Sequence, residues 1–158
     1  MKIKQTFYQM IMPLAKLYWH IFKPESYGVK VLIIHPHDKN RVLLVRHSYG
    51  NTTLWNIPGG GYNPKKENAE LAAQREVFEE LGVKVVNLKL LGEYQTANEG
   101  KKDTVIMFSG TIENIESIVP NPEISEMEWV LAETMSNRGN EIARVARRAA
   151  EKVFPTQK

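Results

Sequence analysis

Residues 61–83 read GYNPKKENAELAAQREVFEELGV, and the REVFEE near its end crowds Glu76, Glu79 and Glu80 together. From Asn68 to Leu81 the spacing predicts a helix, with Gly82 as its C-terminal stop. A helix turns 100° per residue, so Glu80 lies about 40° to one side of Glu76 and Glu79 about 60° to the other. All three then share one face, where like charges cost about 0.2–0.5 kcal/mol per pair. Leu71, Val77, Phe78 and Leu81 fall broadly opposite and are expected to pack on a sheet. A bound cation offsets such repulsion, and clustered carboxylate oxygens suit Mg²⁺ or Mn²⁺. On these residues alone a second reading stays open: a solvated acidic face with Arg75 and nearby lysines as counterions.

Upstream lies IPGGGYNPKKE, residues 57–67. Three glycines between two prolines neither continue a strand nor begin a helix. They mark a loop whose backbone approaches something closely. Further upstream, YGVKVLIIH (27–35) and RVLLVRH (41–47) are apolar, β-branched runs separated by PHDKN. They read as two strands joined by a tight turn. Downstream, VKVVNLKLLGEYQTA and DTVIMFSGTIE are two more strands around NEGKK, and MEWVLA is a short late strand. Residues 139–154 read as a terminal helix, with Ile142, Val145, Ala146, Ala149 and Val153 on its apolar face and Arg144, Arg147 and Arg148 mostly outside it. Strands and helices in this order predict a mixed sheet covered by helices, in the α/β (α+β) class.

The whole chain bounds the chemistry. Its 158 residues suffice for one domain with a proper core. It contains no cysteine, which excludes disulfides, a thiolate nucleophile and cysteine-ligated metal, and fits a cytoplasmic location. A formal net charge of +3 permits anionic partners without specifying nucleic acid. The stretch QTFYQMIMPLAKLYWHIF (5–22) is rich in aromatic and apolar residues, but Pro13, Lys16 and His20 interrupt it. It is too short and too charged to span a bilayer. We expect a helix packed on the domain or in a homodimer contact; peripheral membrane contact through its aromatics and lysines is the other reading.

From Gly61, five residues lead to Glu67, and seven more to Arg75-Glu76-Val77-Phe78-Glu79-Glu80-Leu81-Gly82-Val83. This resembles the box of the Nudix hydrolase family, G-x5-E-x7-R-E-U-x-E-E-x-G-U with U aliphatic, at every fixed position. Many members carry glycine just before the first glutamate of the box, where this chain has Lys66. The resemblance covers residues 27 to 132. It implies an α/β/α sandwich over residues 27–158, preceded by a helical extension over 1–26.

It also implies hydrolysis of a diphosphate linkage in a nucleoside diphosphate joined to another moiety, assisted by Mg²⁺ or Mn²⁺. Glu76 and Glu80 are then metal ligands, with Glu79 and the Gly60 carbonyl. Arg75 and Glu67 are expected to brace the loop and helix by a charge-assisted pair. Glu79 and Glu80 can each serve as general base, but Glu123 in NPEISEMEW is the preferred candidate, with Glu126 behind it. Arg46 is a candidate phosphate contact, and Tyr49, Trp55, Tyr94 and Phe108 are candidate platforms for a base. A non-catalytic nucleotide sensor on the same scaffold is the competing class, and the intact box argues against it.

Overall fold

The computed structural model describes residues 25–96 and 102–155. The expected N-terminal helix lies outside them, as does most of the expected turn at 98–102. In chain order the elements are β1 (Glu25–Ile34), β2 (Arg41–His47), β3 (Trp55–Asn56), α1 (Ala69–Leu81), β4 (Val85–Thr96), β5 (Lys102–Ile112), β6 (Ile124–Leu131) and α2 (Arg144–Val153). They form one six-stranded mixed sheet in the order β3-β2-β1-β5-β4, with β6 also paired to β2, off this path.

The apolar runs of β1 and β2 are continuous because both faces of the sheet are covered. Val29, Val31, Ile33, Leu43 and Val45 enter one core, where α1 contributes Ala72, Ala73, Val77 and Leu81. The alternate residues Leu32, Val42 and Leu44 enter a second core with Trp55, Ile57 and Met107, closed by Ala146, Ala149 and Ala150 of α2. The expected α/β/α sandwich is thus the observed architecture.

The site arises where β1 and β2 part. β1 runs parallel to β5 along its whole length, from Glu25 opposite Lys102 to Ile34 opposite Thr111. Its other edge pairs with β2 only at Ile34 and Val42, beside the hairpin turn. Beyond that point the glycine loop takes the place of β2. Val31 N–H donates to the Pro58 carbonyl and Val29 N–H to the Gly60 carbonyl, each at 2.9 Å. This is the close approach that the glycines permit. Gly59 has φ +128°, and a Cβ there would stand 2.2 Å from the Val29 carbonyl oxygen. Lys66 takes no positive φ and sits in an ordinary turn, its N–H donating to the Asn63 carbonyl.

Three expectations need correction. Leu71 and Phe78 do not pack on the sheet; each is 54% exposed, and the smaller Ala72 and Ala73 take the inward positions beside Val77 and Leu81. The terminal helix is shorter than residues 139–154. Gly139 has φ +48°, outside the helical region, and Ile142 bridges Trp55, so that regular helix begins at Arg144. The late strand begins earlier, at Ile124, because it pairs along all of β2.

Candidate active site

α1 is fixed at both ends by local chemistry. The Asn68 side chain accepts a hydrogen bond from Leu71 N–H at 2.8 Å, an N-cap that satisfies one orphan donor of the first turn. Gly82 ends the helix in the left-handed conformation, with φ 69°. Between these ends the box residues turn toward the glycine loop. A Cβ on Gly60 would stand 2.3 Å from a Glu76 carboxylate oxygen, so glycine is what lets this side chain lie against the loop.

The three glutamates divide. Glu80 is buried, only 4% exposed, and accepts the Gly59 N–H at 2.9 Å. Burial raises its pKa to about 7; Lys30 and the Gly59 N–H pull the other way, while Glu76 and Glu123 add to the rise. Glu76 is nearly buried, and Glu79 turns outward with its side chain 54% exposed. Arg75 gathers what the helix spreads apart. It meets Glu67 in a two-pronged pair (2.7 and 3.2 Å), Glu76 at 2.7 Å and Glu79 at 3.1 Å. These contacts hold the Glu67 carboxyl below its ordinary range and raise the guanidinium further above its own.

Glu123 reaches the same place through Asn121. The Asn121 side chain donates to the Glu79 carbonyl and its N–H to the Glu80 carbonyl, both at 2.8 Å, while its Oδ1 accepts Glu123 N–H. Ser48 N–H donates to the Glu123 carbonyl from the end of β2. The loop is therefore tied to the last turn of α1 and to β2 together. A bulge between Arg46 and His47, where β2 meets β6, re-aims the side chains at this corner.

A cleft of about 610 Å³ collects these groups. Glu76, Glu80, Glu123, Tyr49 and the residues Gly59 to Gly61 line it, with Lys30, His47, Asn56 and Asp103. The Tyr49 hydroxyl donates to Glu123 at 3.4 Å, and burial, then the Glu123 charge, push its pKa up to about 12. His47 Nε2 lies 4.0 Å from Glu80; burial, then the charge of Lys30, lower its pKa to about 4, so it is neutral at pH 7. Asp103 accepts a hydrogen bond from Ser26 across the β1–β5 register.

Other sequence candidates stand apart from the cleft. Trp55 is 6% exposed, and the Arg46 guanidinium covers its ring at 4.3 Å. Arg46 itself pairs with Glu126 at 2.8 Å. Neither Trp55 nor Arg46 lines the cleft, and Phe108 is buried in the α1 core. Tyr94 packs on the α2 core, beside Val105 on the neighbouring strand. Sequence reasoning missed Lys30, His47, Asn56 and Asp103. Of these only Lys30 carried a signal, as the single charge inside an apolar strand.

The donor set fits a hard divalent cation. Glu76 and Glu80 offer oxygens on one wall, and the charge of Lys30 and the Gly59 N–H only partly offset the burial of the Glu80 carboxylate, so a cation would complete the compensation. The Gly60 carbonyl already accepts Val29 N–H and retains one lone pair. Among the described residues no three carboxylate or imidazole groups converge into a ready-made cage. Glu79 would have to exchange its Arg75 contact to join.

Comparison with known proteins agrees with this geometry. The NUDIX domain family model matches residues 26–151. A Bacillus subtilis (strain 168) protein named "Putative 8-oxo-dGTP diphosphatase" is 30% identical over 103 residues, 65% of this chain and 64% of that protein. The Bos taurus diphosphoinositol polyphosphate phosphohydrolase 3-beta is 33% identical over 115 residues, 71% of this chain and 69% of that one. The chain therefore spans about two thirds of the length of these relatives. The crystal structure of a MutT protein from Methanosarcina mazei Go1 aligns with a TM-score of 0.68 at 27% identity, over 84% of this chain and 94% of that one. With a matched family model across most of its length and the box residues assembled around one cleft, the chain belongs to the Nudix hydrolase family.

Proposed function

We propose that the protein hydrolyses a diphosphate linkage in a nucleoside diphosphate joined to a further moiety, by attack of water on phosphorus with Mg²⁺ or Mn²⁺. The observation that carries this reading is the convergence of Glu76, Glu80 and Glu123 with the glycine loop on one cleft. Glu76, Glu80 and the Gly60 carbonyl would hold the cation, with Glu79 joining once it leaves Arg75. Bound there, the cation supplies charge neutralisation for the diphosphate and acidifies a water. Glu123 accepts the proton of the attacking water, and the Tyr49 hydroxyl, which donates to it, holds that carboxylate in orientation. Arg75 fixes Glu76 and Glu67 so that the loop and the helix keep their spacing. With no cysteine in the chain, water remains the simplest nucleophile.

The test is turnover of a panel with Mg²⁺ and with Mn²⁺: dGTP and 8-oxo-dGTP, ADP-ribose, dinucleotides, nucleotide sugars and a diphosphoinositol polyphosphate. In ¹⁸O-water, label is expected in one phosphate product of the first turnover. A phosphorylated peptide, or an unlabelled first product, would sink the mechanism. No turnover on any substrate, with nucleotide binding retained, would leave a nucleotide sensor instead.

A further inference from the structure

Lys30 is the anomaly of β1. It stands in the run GVKVLII between the fully buried Val29 and Val31, yet it lines the cleft. Its Nζ donates to the Gly59 carbonyl at 2.6 Å and to the Ile57 carbonyl at 3.1 Å. No ion pair accompanies these bonds among the described residues. An ammonium group has three protons, so two carbonyls leave one donor unspent, while Glu80 and Glu76 favour the charge only from beyond ion-pair distance. Withdrawing a cation from water costs several kcal/mol in general, and carbonyl dipoles offset only part of that cost.

The remainder of the cleft is acidic. Glu76, Glu80, Glu123 and Asp103 line it, and Lys30 is the only lysine or arginine among the described lining residues. A diphosphate entering such a cleft meets net repulsion unless positive charge awaits it. One divalent cation on Glu76 and Glu80 is largely neutralised by its own ligands. A second, protein-borne charge fixed on the loop that approaches β1 would serve the phosphate oxygens directly.

We propose that Lys30 is a substrate contact, whose third ammonium proton binds a phosphate oxygen of the diphosphate. The proposal rests on the hydrolase reading above. It also gives the glycine loop a second task. Through the carbonyls of Ile57 and Gly59, the loop aims a lysine as well as opening room for Glu76.

The test uses methylenediphosphonate, a diphosphate core that cannot be hydrolysed, and Mn²⁺ alone. Lys30→Met removes the charge at similar length, and Lys30→Arg retains it. Wild type is expected to bind the diphosphonate in the presence of Mg²⁺. Lys30→Met is expected to bind it at least tenfold more weakly, while its Mn²⁺ affinity, read by electron paramagnetic resonance, stays equal or tightens. Lys30→Arg should regain part of the loss.

An unchanged diphosphonate affinity in a folded Lys30→Met protein would overturn the proposal and leave Lys30 as a brace for the loop. Joint loss of Mn²⁺ and diphosphonate binding would overturn it too, because the loop itself would then have failed. If Lys30→Met does not fold, ¹³C-lysine-labelled wild type decides. The ε-carbon resonance absent from the Lys30→Arg spectrum must shift on adding diphosphonate, and a stationary resonance refutes the contact. A wild type that neither binds diphosphonate nor turns over any substrate of the panel would instead remove the hydrolase reading on which the proposal stands.

Discussion

Helices α1 and α2 cover opposite faces of one sheet and follow opposite rules. α2 buries Ala146, Ala149 and Ala150 and leaves Arg144 and Arg148 in solvent, the inside-out order expected of a surface helix. α1 buries Glu80, nearly buries Glu76, and turns Leu71 and Phe78 outward. Hydrophobic burial cannot explain that arrangement, since two large apolar side chains are left half in water to bring carboxylates in. The difference teaches where this fold gives up stability. α2 closes a core, whereas α1 holds charges against a cleft, and the local rule fails on the side where a site is built.

Replacing the buried charge should separate the two roles most sharply. Glu80→Gln is expected to cut kcat by more than about a hundredfold and to weaken Mn²⁺ binding, because the proposed cation ligand is lost. The metal-free protein should at the same time melt no lower than wild type, and somewhat higher, since a neutral amide replaces a desolvated carboxylate next to Glu76. Turnover assays and thermal melts without metal read both effects. Normal turnover, or a steep fall in melting temperature, would mean that Glu80 belongs to the core in the way Val77 does.

The converse change lies on α2. Ala149 is fully buried against the second core, away from the cleft. Ala149→Leu overfills that space and should cost about 1–3 kcal/mol of stability. Turnover per folded molecule should be unaltered, because no residue of α2 lines the cleft. Urea denaturation and kcat measured together check this, and a large loss of kcat in folded protein would break the division of labour.

Proton linkage gives a smaller effect with a definite sign. The Glu80 pKa rises from 4.5 to about 7, so between those values the native state holds a proton that the unfolded chain has released. Its contribution to stability therefore falls as pH rises through that window. His47 acts oppositely. Its pKa falls from 6.5 to about 4, so its contribution rises with pH between those values. In metal-free wild type the two slopes should largely cancel from about pH 4.5 to 6.5, and Glu80→Gln should leave the rising one exposed in pH-dependent melts. Mg²⁺ binding at pH 6 should release about one proton from Glu80, which calorimetry in two buffers of different ionisation enthalpy detects. Zero release would locate the cation away from Glu80.

How much of this was legible follows from which forces are local. The sheet strands, the stop at Gly82 and the proximity of Glu76 and Glu80 come from periodicity, turn chemistry and helical geometry, which the sequence displays. The outward turn of Glu79 depends on Arg75, whose guanidinium can reach Glu67, Glu76 and Glu79 at once. The burial of Trp55 depends on Arg46 and on a bridge to Ile142, more than eighty residues away in the chain. His47 and Asp103 reach the cleft through a bulge and a parallel register, which no local pattern records. Lys30 alone was visible as an exception, a charge in an apolar strand, and its meaning required the glycine loop in place.

The outward face of α1 provides the smallest effect and the finest test of the contrast. Phe78 is 54% exposed, so about half of its apolar surface stays in water after folding. Phe78→Gln, which keeps an aliphatic stem on the same half-covered face, should shift stability by no more than about 1 kcal/mol. Val77, the adjacent residue, is fully buried. Val77→Ala should cost about 2 kcal/mol, the loss of two buried carbons plus part of a cavity. Urea midpoints of the two variants therefore order themselves against the size of the side chain removed. Sedimentation must accompany them, because an aromatic half in water is also what a subunit contact leaves exposed in a single chain. If Phe78→Gln is silent in both measurements, the outward stripe of α1 is a by-product of turning Glu76 and Glu80 inward. If it is costly and splits a dimer, α1 is constrained on both faces, and Leu71 and Phe78 are turned outward for a partner subunit.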